Sequence, residues 1–129
     1  MKLVSYNYNR IRIIMAKNTE IKTVLMDAYI GSMRGNDGQF EYWIGIFMPE
    51  GTPVPSGYEY HDFPKAALGV CWLYGKEEDV YCQEGRCGEK LEEAGYKLAD
   101  WCMERYCCPR FTTPDESGKI ILDICFYLE

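Results

Sequence analysis

The chain has 129 residues with 14 Lys and Arg against 20 Asp and Glu, a formal net charge of -6. That length allows one domain, spanning 1–129, around one sizeable core, and the acidic balance repels a phosphate backbone, so nucleic acid is not expected as a partner. No run of about 18 apolar residues is present to span a bilayer, and the amino end lacks an apolar signal core followed by small residues. The expectation is a soluble, cytoplasmic chain with no membrane partner.

In chain order, Arg10 and Arg12 alternate with Ile11, Ile13 and Met15 as in a strand, whereas Ile21, Val24, Leu25 and Ala28 keep a helical period. Val24, Met26, Ala28 and Ile30 also alternate up to Gly35-Asn36-Asp37-Gly38, which favours a strand over 23–30 leading into a β-hairpin. The returning strand, 40–48, is apolar at both parities, so both of its faces are expected to be covered. Three prolines and a glycine make 49–55 a loop. Strands are predicted over 57–62 and 66–74, with Val70, Trp72 and Tyr74 on one face and Gly75 as the stop.

Residues 84–94 hold Glu89, Lys90, Glu92 and Glu93, good helix formers, and Gly95 stands where a helix would end. Two last strands, 100–107 and 119–127, are joined by the turn-forming 113–118, where Asp115 and Glu116 read as solvated. The fold class is therefore α+β, with at least five antiparallel strands and a single helix.

Seven cysteines are an odd number for a disulfide framework, and reduced thiols in a cytosol fit better. Cys82, Cys87, Cys107 and Cys108 could supply four sulfurs to zinc, but an adjacent pair would point to opposite faces of a strand, so no metal is expected. His61 beside Asp62 invites a catalytic reading, yet no serine motif accompanies it and nothing in the sequence places a thiol next to it.

Four segments then stand in a telling order: Phe40-Glu41-Tyr42-Trp43-Ile44-Gly45, Pro53-Val54-Pro55-Ser56-Gly57, Phe63-Pro64-Lys65-Ala66-Ala67, and Glu104-Arg105-Tyr106 before the closing strand. Over roughly residues 22–128 this order and spacing resemble the GyrI-like domains, the bacterial effector-binding domains. The resemblance implies an antiparallel sheet of paired β-α-β-β-like modules with a ligand cleft between them, found alone or fused to transcription regulators that sense cationic amphiphilic drugs. The amino-terminal segment, 1–21, departs from the pattern, which implies an incomplete first module whose missing cover a homodimer could supply.

Carried over from the resemblance, Glu104 would lie inside the cleft and face a ligand's positive charge, with Tyr106 beside it. A buried anion is costly unless paired, so an empty site of this kind is poised for a cation whose apolar rings displace water. Tyr42, Trp43, Trp72, Tyr74, Trp101, Tyr106 and Tyr127 are the rings available for cation–π contact, worth about 0.5–2 kcal/mol each when well placed. From spacing alone Glu104 fits an ordinary surface pair with Arg105, and the rings fit core packing.

The function expected is binding of a small cationic or aromatic molecule, in the manner of a multidrug-binding sensor or sequestering protein, without a cofactor. The alternative is a hydrolase that opens strained electrophilic small molecules, with Glu104 as the catalytic residue activating water.

Overall fold

The computed structural model describes residues 2–8, 11–16, 28–36, 38–64 and 66–129, with no account of the side chains of 2–8, 11–16 and 36. The strands are β1 (Lys2–Tyr8), β2 (Ile11–Ala16), β3 (Ala28–Asn36), β4 (Gln39–Pro49), β5 (Tyr58–Phe63), β6 (Ala66–Gly75), β7 (Leu98–Cys107) and β8 (Ile120–Leu128). Two helices, α1 (Glu77–Val80) and α2 (Glu84–Glu93), stand between β6 and β7. The fold is α+β, and the described strands form one antiparallel sheet in the order β1-β6-β8-β7-β3-β4-β2-β5.

That order has an internal symmetry. Moving every strand four places along the chain turns β1–β6 into β5–β2, β2–β4 into β6–β8 and β3–β4 into β7–β8, while β3–β7 joins the halves. Each half thus lends its first strand to the edge of the other.

The hairpin between β3 and β4 forms where Gly35 to Gly38 predicts it, with Asn36 opposite Gln39 and Gly38 at φ 77°. The last turn is organised by Asp115, whose carboxylate accepts from the Ser117 and Lys119 backbone N–H groups at 2.9 and 3.0 Å and from the Ser117 hydroxyl at 2.7 Å. These bonds and one from Tyr74 hold the Asp115 carboxyl well below its ordinary range, more than a merely solvated turn residue would show. The strand expected over 23–30 is described only from Ala28, and the competing helical reading lies outside the described residues.

One face of the sheet curls inward around an aromatic core. Phe63 of edge strand β5 stacks on Tyr127 of β8 at 5.0 Å and meets Trp101 of β7 edge-on at 5.2 Å, so β5 returns over the opposite half. Ile30, Phe47, Leu68, Val70 and Met103 complete this core.

The other face carries α2 on β6, β8 and β7. Its close approach depends on glycine, because a Cβ at Gly69 would collide with the Leu91 methyl groups. The free-thiol expectation fails here. Cys71 of β6 and Cys87 of α2, both fully buried, form a disulfide across that contact, and Cys82, Cys102, Cys107, Cys108 and Cys125 remain free. The odd count concealed a single bridge, since it requires only that one thiol at least be unpaired. Coverage of both faces of β4 is also corrected: Phe40, Tyr42 and Ile44 are 71, 40 and 53% exposed on the helix side. The reason is that α2 sits over the β6–β8–β7 half alone.

Candidate functional site

Adjacent residues of a strand point to opposite faces, and in β7 this separates Glu104 from Arg105. Arg105 faces the inner side, where its guanidinium lies 3.3 Å from Asp123 of β8, a fully buried acid that also pairs with Arg110. An exposed Glu104–Arg105 pair is therefore ruled out. Glu104 faces α2, is 8% exposed, and forms no ion pair among the described residues.

Its neighbours are tyrosines and a second acid. The Tyr106 hydroxyl donates to Glu104 Oε2, and Tyr42 of β4 is hydrogen-bonded to Tyr106. Tyr106 has one proton and gives it to the carboxylate, so Tyr42 donates to the Tyr106 oxygen. Tyr42 reaches that far because it crosses Gly31 of β3, where a Cβ would collide with its hydroxyl; Gly31 stands opposite Glu104 in register. Glu84, in the first turn of α2, brings its carboxyl within hydrogen-bonding reach of Glu104. Tyr81, Met33 and Phe111 border the same cluster, and the Phe111 ring meets Tyr106 edge-on at 4.9 Å.

The charge balance follows from this inventory. Burial raises the Glu104 carboxyl above its ordinary value and the adjacent Glu84 raises it further, against the hydrogen bond from Tyr106. Burial raises the Tyr42 and Tyr106 phenols, pushes Tyr81 up to about 12, and pushes the Cys102 thiol up to about 12. The phenols and the thiol therefore stay protonated near neutrality.

Of the residues expected at the site, Glu104, Tyr106 and Tyr42 come together. Trp43, Trp72, Trp101 and Tyr127 lie on the inner face with the aromatic core. Tyr74 stands at the far end of β6, bonded to Asp115 under the Lys119 ammonium. His61 is on the inner face too, its ring 4.7 Å from Phe63 and 5.1 Å from Trp101, and burial together with Arg34 lowers its pKa. Glu84 was not singled out from the sequence, though a signal existed: Glu84, Cys87 and Leu91 fall on one helical stripe, and the latter two are buried. Among the described residues no group of three His, Cys, Asp or Glu could hold a metal ion, and Cys87 is bound to Cys71.

No protein-family model and no curated protein matches the chain. Solved structures do share its fold. A protein assigned to bacterial transcription regulation from Staphylococcus aureus MU50 matches with a TM-score of 0.69 at 12% identity, covering 100% of this chain and 99% of that one. The EcmrR C-terminal domain matches with a TM-score of 0.66 at 12% identity, covering 99% and 97%. A third match is EcmrR in a cryo-EM EcmrR–DNA complex, with a TM-score of 0.63 at 13% identity, covering 99% of this chain and 57% of that one.

The exclusion of nucleic acid as a partner is thereby corrected. The fold occurs in a chain solved in complex with DNA, so a net charge of -6 is no ground for ruling such a partner out. Formal charge summed over one fold constrains that fold's own surface, and 57% coverage leaves part of EcmrR beyond the match. No helix of the described residues is long and apolar enough to cross a membrane.

Proposed function

We propose that this chain is a GyrI-like effector-binding domain, spanning 1–129, that takes an aromatic or amphiphilic cation at Glu104. The observation that carries the reading is a nine-tenths buried carboxyl with a second carboxyl and three tyrosines around it and no cation among the described residues. Such a group is unfavourable as an anion until a positive charge arrives. Tyr42, 40% exposed, leads from solvent to that point, so a cation can reach the acid over ring surface. The symmetric strand order supports two β-α-β-β-like units meeting at β3–β7, and Glu104 stands on that seam. The regulator structures that share the fold support a sensing role.

Binding of crystal violet, a fixed-charge aromatic cation, is the test. Glu104→Gln keeps shape and removes charge, so the cation should weaken by about 1.5–3 kcal/mol while a neutral aromatic of similar size is nearly unaffected. Equal losses for both compounds would reject the reading. The raised Glu104 carboxyl also suits a general base, the hydrolytic alternative. In that case Glu104→Gln would leave binding of a neutral strained-ring electrophile intact and lower its turnover roughly a hundredfold.

A further inference from the structure

Three residues on the helix side of β4, Phe40, Tyr42 and Ile44, are exposed, although the matching row of β8, Ile120, Leu122 and Ile124, is buried in the cluster that α2 completes. The exposed row continues along β4 to Ile46 and then across the sheet, because Ile14 of β2 is the register partner of both Ile46 and Tyr60 of β5. Tyr60 and Tyr58, two residues apart on that edge strand and so on one face, are exposed as well. A contiguous apolar face left open to water marks a binding surface. Its inner end indicates what binds. Gly31 is opposite Ile44 on one side and Glu104 on the other, so the strip runs from the buried carboxyl out to the edge of the sheet. We infer that this strip seats the apolar body of an amphiphilic cation whose charged head lies at Glu104. The inference rests on the cation-binding reading above and narrows its ligand class to cations that carry a long apolar tail.

The strands β7, β3, β4, β2 and β5 are neighbours in that order. Four steps between adjacent strands give the strip a length of roughly 19 Å from Glu104 to β5. A compact cation held at Glu104 would leave most of that surface in water, whereas a tail laid along it removes apolar area from solvent on both partners. Gly31 adds no side chain to the path, and the Tyr42 ring crosses it there, next to the place the charged head would take. The two ends differ in kind. A carboxyl with no ion pair among the described residues stands at one end, and the Tyr58 and Tyr60 rings stand at the other. That polarity matches a ligand with one charged and one apolar end. A second copy of this chain, with its own net charge of -6, would bring further acid toward Glu104 instead.

Calorimetric titration with methyl-, octyl-, decyl- and dodecylpyridinium, each below the concentration at which it forms micelles, tests the strip. Affinity should rise about fourfold for each methylene that lies on it, and level off once the tail passes β5. Ile44→Ser removes apolar surface from the middle of the strip at an exposed position. It should weaken the dodecyl cation about tenfold and leave methylpyridinium unchanged. Should that variant fail to fold, Tyr58→Ser at the edge of the sheet tests the same point by reducing the gain from decyl to dodecyl. Equal affinity for the methyl, octyl and dodecyl cations, or a tail gain undiminished in the variant, overturns this inference and leaves the cation reading standing. So does a parent that sediments as a dimer and becomes monomeric on Ile44→Ser, because the strip would then belong to a second copy. A parent that binds no member of the series overturns both.

Discussion

Asp123 and Glu104 are buried acids on neighbouring strands, one on each face of the same sheet, and burial pushes both carboxyls upward. Their neighbours act with opposite sign. Around Asp123, Arg105 and Arg110 pull the carboxyl back down and complete a charged cluster inside the molecule. Around Glu104 only the Tyr106 hydroxyl pulls the carboxyl down, and the charge beside it is another acid, Glu84, which raises it further. The inner acid has its counter-charge from the fold, whereas the outer one forms no ion pair among the described residues, and on the function proposed above a ligand would supply it. A buried charge with its partners in place is a structural element, and one without them is a candidate for binding.

The largest effect should come from breaking the completed side. Asp123→Ala leaves two guanidinium groups in the inner face without their carboxylate and should cost about 3–5 kcal/mol in denaturant unfolding. Loss of only a few tenths would mean that the cluster contributes little. On the outer face the anchor of α2 is covalent. The Cys71–Cys87 bridge closes a loop of sequence separation 16, so its reduction should lower stability by roughly 3 kcal/mol, the chain-entropy value for a loop of that size. Denatured without reductant, the protein should titrate five thiols rather than seven.

Glu104→Gln should act in the opposite sense on stability. Because its carboxyl is raised in the folded chain, folding takes up a proton between the unfolded and folded values, so stability falls as pH rises through that interval and the deficit is complete above it. The Gln variant lacks this loss. It should be at least as stable as the parent at neutral pH and show a flatter acid limb, which thermal unfolding across pH would reveal; a strongly destabilised variant would place Glu104 with Asp123 as a structural acid. The smallest effect is expected at Gly31→Ala. The added methyl displaces the Tyr42 hydroxyl, the mobile end of a side chain, and should cost cation affinity roughly 0.5–2 kcal/mol with little change in stability.

Local signals in the chain were sufficient for most of the elements. Gly38 marked the hairpin, period-two alternation marked β2 and β6, and Gly95 ended α2 with its N–H on the Glu92 carbonyl at 2.9 Å. The strand β1 and the short helix α1 were not read: in β1 the alternation of Val4, Tyr6 and Tyr8 with Ser5 and Asn7 was a signal passed over, and in α1 four residues are too few for a helical period. At the site, Glu104, Tyr106 and Tyr42 were legible from the ordered segments that resemble GyrI-like domains, while the tryptophans named with them went to the other face. Composition could not separate them, because an aromatic side chain serves a core and a binding surface equally well.

What the amino-acid sequence determined by itself is therefore every described strand but β1 and the position of α2, while Glu104 and Arg105, read from spacing as a surface pair, are parted across the sheet by strand alternation. Tertiary structure decided which face each of them met. The curl that brings Phe63 onto Tyr127 made one face a core, and the register of β7 with β8 set Arg105 against Asp123. The seating of α2 over Gly69 delivered Glu84 to Glu104. These contacts join residues far apart in the chain, and no local period encodes which distant charge will arrive beside a buried acid.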